Sequence, residues 1–231
     1  MYELSEKNKR ISEMFSSIAP TYDFLNHFLS FNIDKLWRKK AVSLLAGESV
    51  LDVATGTGDV ALQINKTNRF KSITAVDVSR GMLDIAIKKS KDSGADNIKF
   101  ICAPAEALPF DDESFDNVII AFGIRNIPDR IGALYEFKRV LKKNGRLVIL
   151  EFNKPVSKVF NEIYNVYSNH ILPFFGRVIS HNDKAYDYLP NSIKNFPDVE
   201  FLKKSMERVG FREVYYFPLT FGISFIHTGI K

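Results

Sequence analysis

The stretch VLDVATGTGDVA, Val50 to Ala61, constrains this chain more than any other part of it. An apolar run rich in β-branched residues ends in a turn where Gly56 and Gly58 permit a tight bend and close backbone approach. The helix that follows opens with free N–H groups. A strand, a tight turn and a helix N-terminus in that order form a loop for an anionic or polar ligand. The Gly-x-Gly-x-x-Ala spacing is shared with dinucleotide-binding proteins, so alone it predicts a ligand loop and leaves the ligand open.

Around this loop, short apolar runs alternate with helical patterns, which predicts βαβ units and a mostly parallel sheet. Strands are expected near Ser49 to Ala54, Ser72 to Val78, Ile98 to Cys102, Phe115 to Phe122 and Arg146 to Phe152. Helices are expected at Asp59 to Asn65, Arg80 to Asp92 and Asp129 to Lys142, with Gly145 as a stop signal for the last. Beyond Phe152 the pattern changes to a long helical stretch from Pro155 to about His170, a polar aromatic segment from Ser180 to Phe196, a helix ending at Gly210, and two strand-like runs expected to pair as an antiparallel hairpin. The reading is an α/β, Rossmann-like fold with a seven-stranded sheet, organised as one domain. Residues 1–45 form a helical N-terminal flank or lid, 46–152 a cofactor-binding core, and 153–231 substrate-side helices and closing strands.

Composition narrows the function classes. At 231 residues one sizeable core is expected. Lys plus Arg exceed Asp plus Glu by 32 to 27, a surplus that suits phosphates or acidic headgroups and falls short of a nucleic-acid binder. Cys102 is the only cysteine, so no internal disulfide forms and a reducing, cytoplasmic setting is expected. No apolar stretch reaches the ~18 residues of a spanning helix. The 20 Phe residues fit a full core, a greasy ligand or a membrane-facing patch.

Two carboxylates sharpen the loop. Asp52 lies inside the apolar strand before Gly56, where an unpaired carboxylate is costly. The alternative to a ligand role is a structurally satisfied strand-end aspartate. Asp77 ends the next strand, about 20 residues beyond the loop, where an acidic side chain accepts from both hydroxyls of a ribose. Met82 is placed to pack on an adenine face, or in the core. In APAEALPFDDESFDNVIIAFGIRN, a Leu-Pro-Phe turn and an acidic loop precede a strand whose end, Ala121 to Asn126, faces the same crevice.

As a set, these pieces resemble class I S-adenosylmethionine-dependent methyltransferases over Val50 to Glu151. The resemblance implies S-adenosylmethionine as cofactor, with Gly56, Thr57 and Gly58 at its methionine part, Asp77 at the ribose, and Pro104 and Ala105 at the adenine. Asp52, Met82 and Ala121 complete the set. Four further stretches, YDFLNHFLSFNIDKLWR, FGIRNIPD, RVLKKNGRLVILEF and the tail from YDYLPNSIKNFPD to LTFGISFIHTGIK, extend the match over nearly the whole chain. They resemble the ubiquinone/menaquinone biosynthesis C-methyltransferases, in which the N-terminal Tyr-Asp-x-x-Asn and Trp segment flanks the pocket. The family pattern commonly has Met at Leu25, His at Asp34, Pro at Lys143, Ser at Asn153, and Asn or Asp at Pro104. Proline has neither a backbone N–H nor a polar side chain, so one adenine contact is lost while Ala105 keeps its N–H.

Carbon methylation needs an electron-rich ring, and a quinol qualifies once a hydroxyl of pKa near ~10 begins to lose its proton to a base or is stabilised as an oxyanion. Arg125 is the candidate for stabilising the phenolate and Asn126 for orienting the ring or a water. The alternative for Arg125 is a loop ion pair with Asp129 or Glu151. Glu151 either relays a proton or fixes Arg125. His181 is a candidate base because histidine titrates near neutral pH, and Tyr22, Tyr186 and Tyr188 are candidates for shaping the pocket or packing in the core. His27, His170 and His227 have no Cys or carboxylate at ligand spacing along the chain, so no metal site is expected. Alignment and exclusion of water offer a route with no essential base.

The expected substrate is a prenylated quinol, demethylmenaquinol ahead of the ubiquinol precursor. Expected partners are the inner face of the cell membrane and a second copy of the chain, as a homodimer, with no nucleic acid. Three other readings compete: a nucleic-acid methyltransferase, which lacks the Pro-Pro-aromatic motif at the fourth strand; a nicotinamide oxidoreductase sharing the loop; and a noncatalytic prenyl-quinone binder.

Overall fold

Seven strands carry the architecture: β1 (Ser49–Val53), β2 (Ser72–Asp77), β3 (Ile98–Cys102), β4 (Phe115–Ala121), β5 (Leu141–Phe152), β6 (Arg212–Leu219) and β7 (Ser224–Ile230). They come from a computed structural model that describes residues 5–30, 32–153 and 192–231. The strands form one sheet in the order β3-β2-β1-β4-β5-β7-β6. The first five are parallel, and β7 runs antiparallel to both β5 and β6. The closing hairpin is thus present, with its second strand inserted beside β5 and its first strand at the edge.

Helices α1 (Glu6–Leu29) and α2 (Ile33–Ser43) precede the sheet; α3 (Asp59–Asn65), α4 (Arg80–Asp92), α5 (Arg130–Val140) and α6 (Val199–Val209) flank it. Capping explains several boundaries. Ser79 accepts from the Met82 N–H to open α4, Asp129 accepts from the Gly132 N–H to open α5, and Asp198 accepts from the Phe201 N–H to open α6. Gly210, at φ 93°, closes α6 in the left-handed conformation that glycine adopts without strain.

One boundary differs from expectation. Helix α5 ends at Val140, and Leu141 is already extended and paired with Phe115 of β4, so β5 begins five residues before Arg146. Gly145 therefore ends no helix. It sits in an irregularity of the β4–β5 ladder, where a Cβ would lie 2.8 Å from the Lys142 carbonyl oxygen and 3.1 Å from that of Asp116. A signal that usually stops a helix serves a bulge here, because Leu141 gains more from the sheet core than from another helical turn.

Two apolar layers sandwich the sheet. One contains Leu51, Val118, Leu134, Phe137 and Met206; the other contains Trp37, Leu45, Ile64, Ile119 and Ile226. Phe137 is fully enclosed, and truncating such a side chain to alanine costs about 3–5 kcal/mol. No described helix is long and apolar enough to cross a membrane. The helical stretch expected from Pro155 to His170 lies outside the described residues.

Helix α1 lies over the carboxyl ends of β1 and β2. The Ser12 hydroxyl donates to the Val78 carbonyl at 3.2 Å, and Ser16 and Ser79 share a hydroxyl hydrogen bond of 2.8 Å. Gly81 makes this close approach possible, since a Cβ there would stand 3.0 Å from the Ser16 side chain. The aromatic and polar residues of the N-terminal flank divide between two jobs. Trp37 is core, packed on Phe122 and Phe152 with ring centroids 6.2 and 5.9 Å away, and its Nε1 donates to the Thr220 hydroxyl at 2.8 Å. Asp23, His27, Asp34 and Arg38 join a polar network at the cavity edge.

Candidate active site

The carboxyl ends of β1, β2 and β4 open with the residues after β3 onto one cavity. From the β1 turn come Asp52, Thr55, Gly56 and Thr57; from β2 comes Asp77; Pro104 and Ala105 follow β3; Ala121, Gly123 and Asn126 follow β4. Met82 forms part of the wall and is almost wholly buried. Helix α1 supplies Ile11, Phe15 and Tyr22 as a roof, and α2 supplies Arg38.

The turn owes its shape to Ala54, Gly56 and Gly58, all at positive φ (52°, 57° and 85°). A Cβ on Gly56 would meet nothing within 4 Å, so this part of the turn faces open space. Gly58 differs. Its Cβ would press on that of Ala86 at 3.0 Å, and it serves the packing of α3 against α4; it is absent from the cavity wall. Sequence reasoning passed over Gly123, where a Cβ would overlap that of Ala54 at 2.6 Å. The turns after β1 and β4 touch there, a contact between distant segments that no local pattern reveals.

Asp77 accepts from the Gly56 N–H at 2.8 Å through Oδ2 and from the Ser79 N–H at 2.8 Å through Oδ1. These contacts, with a further one from the Val78 N–H, leave part of the carboxylate's accepting capacity for a ligand hydroxyl. Burial raises its pKa above the ordinary carboxylate value against the pull of those amides. Asp52, 1 % exposed, accepts from the Thr55 hydroxyl at 2.6 Å. Burial pushes its pKa up to about 7, and the charge of Asp77 adds to the rise. Among the described residues neither carboxylate has a basic partner in hydrogen-bond range, and two such desolvated carboxylates suit a cationic ligand, whose charge replaces lost hydration.

Arg125 and Glu151 form a separate unit. Arg125 Nη1 donates to Glu151 Oε1 at 2.6 Å and to the Phe122 carbonyl at 2.7 Å, and the Arg125 N–H reaches Glu151 Oε2 at 3.2 Å. Their side chains are 4 % and 2 % exposed, and neither residue lines the cavity. Of the two ion-pair partners open to Arg125 in the sequence, Glu151 is the one engaged; Asp129 caps α5. Asn126 and Tyr22 do reach the cavity. His181, His170, Tyr186 and Tyr188 lie outside the described residues.

Sequence reasoning also passed over a charged group beside the cavity. His27 does have carboxylate neighbours in space: Asp34 at 2.8 Å from Nδ1 and Asp59 at 3.3 Å from Nε2. Residues 27, 34 and 59 come from three helices, so spacing along the chain hides the cluster. Arg38 pairs with Asp34, and Lys89 with Asp59 at 2.6 Å, so protein cations already stand on these carboxylates. Asp59 and Arg38 line the cavity. His227 is different again: buried, its Nε2 donates to the Val199 carbonyl at 2.9 Å, and burial lowers its pKa to about 4.

Among solved structures, the chain superposes with TM-score 0.68 on an S-adenosylmethionine-dependent methyltransferase of Thermotoga maritima described as a possible histamine N-methyltransferase, at 23% identity over 96% of this chain and 99% of that one. It superposes with TM-score 0.72 on the [4+2]-cyclase SpnF, at 18% identity over 97% and 96%. Such likeness fixes the fold alone, and the cyclase illustrates how one fold hosts different chemistry. The S-adenosylmethionine-dependent methyltransferases are the class that this sheet order, glycine turn and carboxylate pair define. Within that class, the model of the ubiE/COQ5 methyltransferase family matches residues 3–231, and the chain belongs to that family. It is 50% identical to the ubiquinone/menaquinone biosynthesis C-methyltransferase UbiE of Geobacter sulfurreducens over 100% of this chain and 92% of that protein. The UbiE protein of Hahella chejuensis is 40% identical over 99% and 94%.

S-adenosylmethionine fits the residues present. The open space at Gly56 would admit its backbone-hugging part, and Asp52 and Asp77 are the carboxylates that would face a sulfonium compound that also carries an ammonium and a ribose diol.

Proposed function

We propose that this enzyme C-methylates a prenylated quinol in respiratory quinone biosynthesis, with demethylmenaquinol as the preferred acceptor. The observation that carries the reading is the 50% identity over the full chain to a protein named as a C-methyltransferase of ubiquinone/menaquinone biosynthesis. An apolar roof of Ile11, Phe15 and Tyr22 over paired carboxylates supports it, because one cavity then has a polar end for a donor and an oily end for a ring.

When bound, S-adenosylmethionine supplies an electrophilic methyl group on a positively charged sulfur. Asp77 holds a ribose diol and Asp52 offsets positive charge. Thr57, Gly56, Met82, Pro104, Ala105 and Ala121 shape the donor end, while Gly58 sets the turn by packing. Asn126 orients the quinol ring or a water, and the Tyr22 hydroxyl bonds a quinol oxygen. In this reading Arg125 is a positioning residue. Locked by Glu151, it holds the 3-10 turn Ile124–Asn126 that presents Asn126. The roof excludes water, which strengthens every charge interaction beneath it.

A long isoprenoid tail stays in a bilayer or an apolar groove, so the reading includes work at a membrane surface. The exposed Lys35, Lys39 and Lys40 of α2 would favour anionic lipid. Flotation with anionic and neutral liposomes tests the electrostatic part, which equal recovery from both would remove. The reaction itself is tested with radiolabelled methyl donor and chemically reduced naphthoquinol and benzoquinol acceptors. Label in the naphthoquinol product alone supports the preferred acceptor; label in the benzoquinol product alone reverses that choice, and label in neither overturns the reading.

A further inference from the structure

Helix α1 is bound to the donor end of the cavity by a chain of charges that the methyl transfer does not use. Asp23 of α1 accepts from the Thr57 hydroxyl in the glycine turn, and from Lys89 Nζ of α4 at 2.7 Å. Lys89 also donates to Asp59 Oδ1, at the start of α3, at 2.6 Å. Asp59 Oδ2 lies 3.3 Å from His27 Nε2, and His27 Nδ1 lies 2.8 Å from Asp34 Oδ2 on α2. Asp34 in turn holds Arg38, and accepts from the Ser30 hydroxyl at 2.6 Å. Arg38 Nη2 stands 3.8 Å from Asp59. Four helices meet in this one network, and Thr57, Asp59 and Arg38 are also cavity wall.

His27 is the member whose charge is adjustable. Both of its ring nitrogens face carboxylate oxygens. A neutral imidazole has one N–H and one lone pair, so it satisfies one carboxylate and turns a lone pair on the other. The imidazolium donates to both. Charge counting agrees. The network has three carboxylates, Asp23, Asp34 and Asp59, and two cations that stay charged near neutral pH, Arg38 and Lys89, so an imidazolium completes three against three.

We propose that His27, as the imidazolium, is a positioning residue that latches α1 over the donor end of the cavity, and that loss of its proton loosens the latch and speeds release of the bound donor or its demethylated product. The inference rests on the donor site described above and is independent of which quinol accepts the methyl group. The charged groups facing His27 are Asp34 and Arg38 from α2, Asp59 from α3, and Lys89 from α4 through Asp59, with Asp23 on its own helix. Hydrogen bonding to Asp59 leads the causes that raise the His27 pKa above 6.5, against burial, which opposes it. Asp59 moves the other way: burial would raise its pKa, but His27, Arg38 and Lys89 together hold it well below the usual carboxylate range. Both shifts agree with a charged pair.

The test is the dissociation rate of radiolabelled S-adenosylhomocysteine, chased with excess unlabelled compound, for the full chain between about pH 6 and 9. In the wild type the rate is expected to climb with pH, by about tenfold for each unit separating the His27 pKa in latched and unlatched states. His27→Gln is expected to release fast at every pH, and His27→Lys, a permanent cation, to release slowly with the pH dependence gone. Asp34→Asn removes one carboxylate, so a neutral imidazole suffices and the rise flattens. Imidazole C–H titrations by NMR, in which His27→Gln removes one of four histidine signals, locate the His27 pKa independently of turnover. The proposal is overturned if wild type and His27→Gln share one pH profile, or if His27→Lys releases as fast as His27→Gln. Should His27→Gln fail to fold, a His27→Lys release rate that climbs with pH as in the wild type overturns the proposal, and His27→Lys takes its place in assigning the NMR signal. Failure of the wild type to bind S-adenosylhomocysteine at all would instead overturn the donor site.

Discussion

Arg125 Nη1 and Glu151 Oε1 meet at 2.6 Å with both side chains almost wholly removed from solvent. The pair joins the turn after β4 to the end of β5, and so fixes the backbone that presents Asn126 to the cavity. Glu151→Ala leaves an uncompensated buried cation, and chemical denaturation is expected to show a loss of about 3–5 kcal/mol. Replacing both residues with apolar ones of similar volume is expected to recover most of that stability, yet to leave methyl transfer slow while S-adenosylhomocysteine still binds. Full activity in the double variant would remove Arg125 from the reaction.

Asp52 places function against stability. Its folded pKa, pushed up to about 7 from 3.8, lies above the unfolded value, so the folded protein holds the proton more tightly and loses stability as pH rises from about 4 to 7. Asp52→Asn is therefore expected to stabilise the ligand-free protein at pH 8, with Tm rising by about 2–4 °C for each kcal/mol recovered. The same change should weaken S-adenosylmethionine more than S-adenosylhomocysteine, since only the former carries the sulfonium charge. In the wild type, calorimetry should find donor affinity falling as pH drops below 7. A pH-independent affinity would contradict the ionised Asp52.

Two glycines in the site separate by mechanism. Gly56→Ala puts a side chain at φ 57°, at a cost of roughly 1–2 kcal/mol, and projects it into the space a ligand would take, so binding should suffer more than folding. Gly123→Ala meets the Ala54 Cβ at 2.6 Å and is expected to cost about 1–3 kcal/mol through overpacking, with folding and binding lost together. Paired thermal melts and S-adenosylhomocysteine titrations distinguish the two. The same balance of losses in both variants would undo the distinction.

The two described histidines, near opposite ends of the sequence, respond to pH with opposite sign. His227 has a folded pKa near 4, below its ordinary 6.5, so its contribution to stability is lost as pH falls from 6.5 toward 4. His27 has a raised pKa; its contribution is complete below 6.5 and is lost as pH rises through the folded value. Urea midpoints measured across pH should show a shallower acid limb in His227→Gln and a shallower alkaline limb in His27→Gln. Unchanged limbs would refute the assignments.

The strand–turn–helix at Val50 to Ala61, the acidic end of β2 and the amphipathic pattern of α5 were legible because each depends on residues within one or two turns of each other. Solvent exposure alternating along a strand, or a glycine forced by a tight bend, leaves its mark locally. The helix limits missed by two residues at Val140, since strand pairing with Phe115 overrode a helical pattern that continued past it. Arg125 was singled out as facing the crevice, and its choice of Glu151 over Asp129 turned on how β5 lies against the turn after β4.

By itself, then, the order of residues determined the alternating sheet, the glycine turn and the carboxylates on its rim, all products of short-range backbone and hydrophobic preferences. Only the tertiary structure decided that Gly123 abuts Ala54, that Arg125 is committed to Glu151, and that His27 bridges Asp34 and Asp59. The reason is physical. Charge pairing and steric contact act over a few ångströms of space, whatever the separation along the chain, so they come into being only when packing of the apolar faces has brought the elements that bear them together.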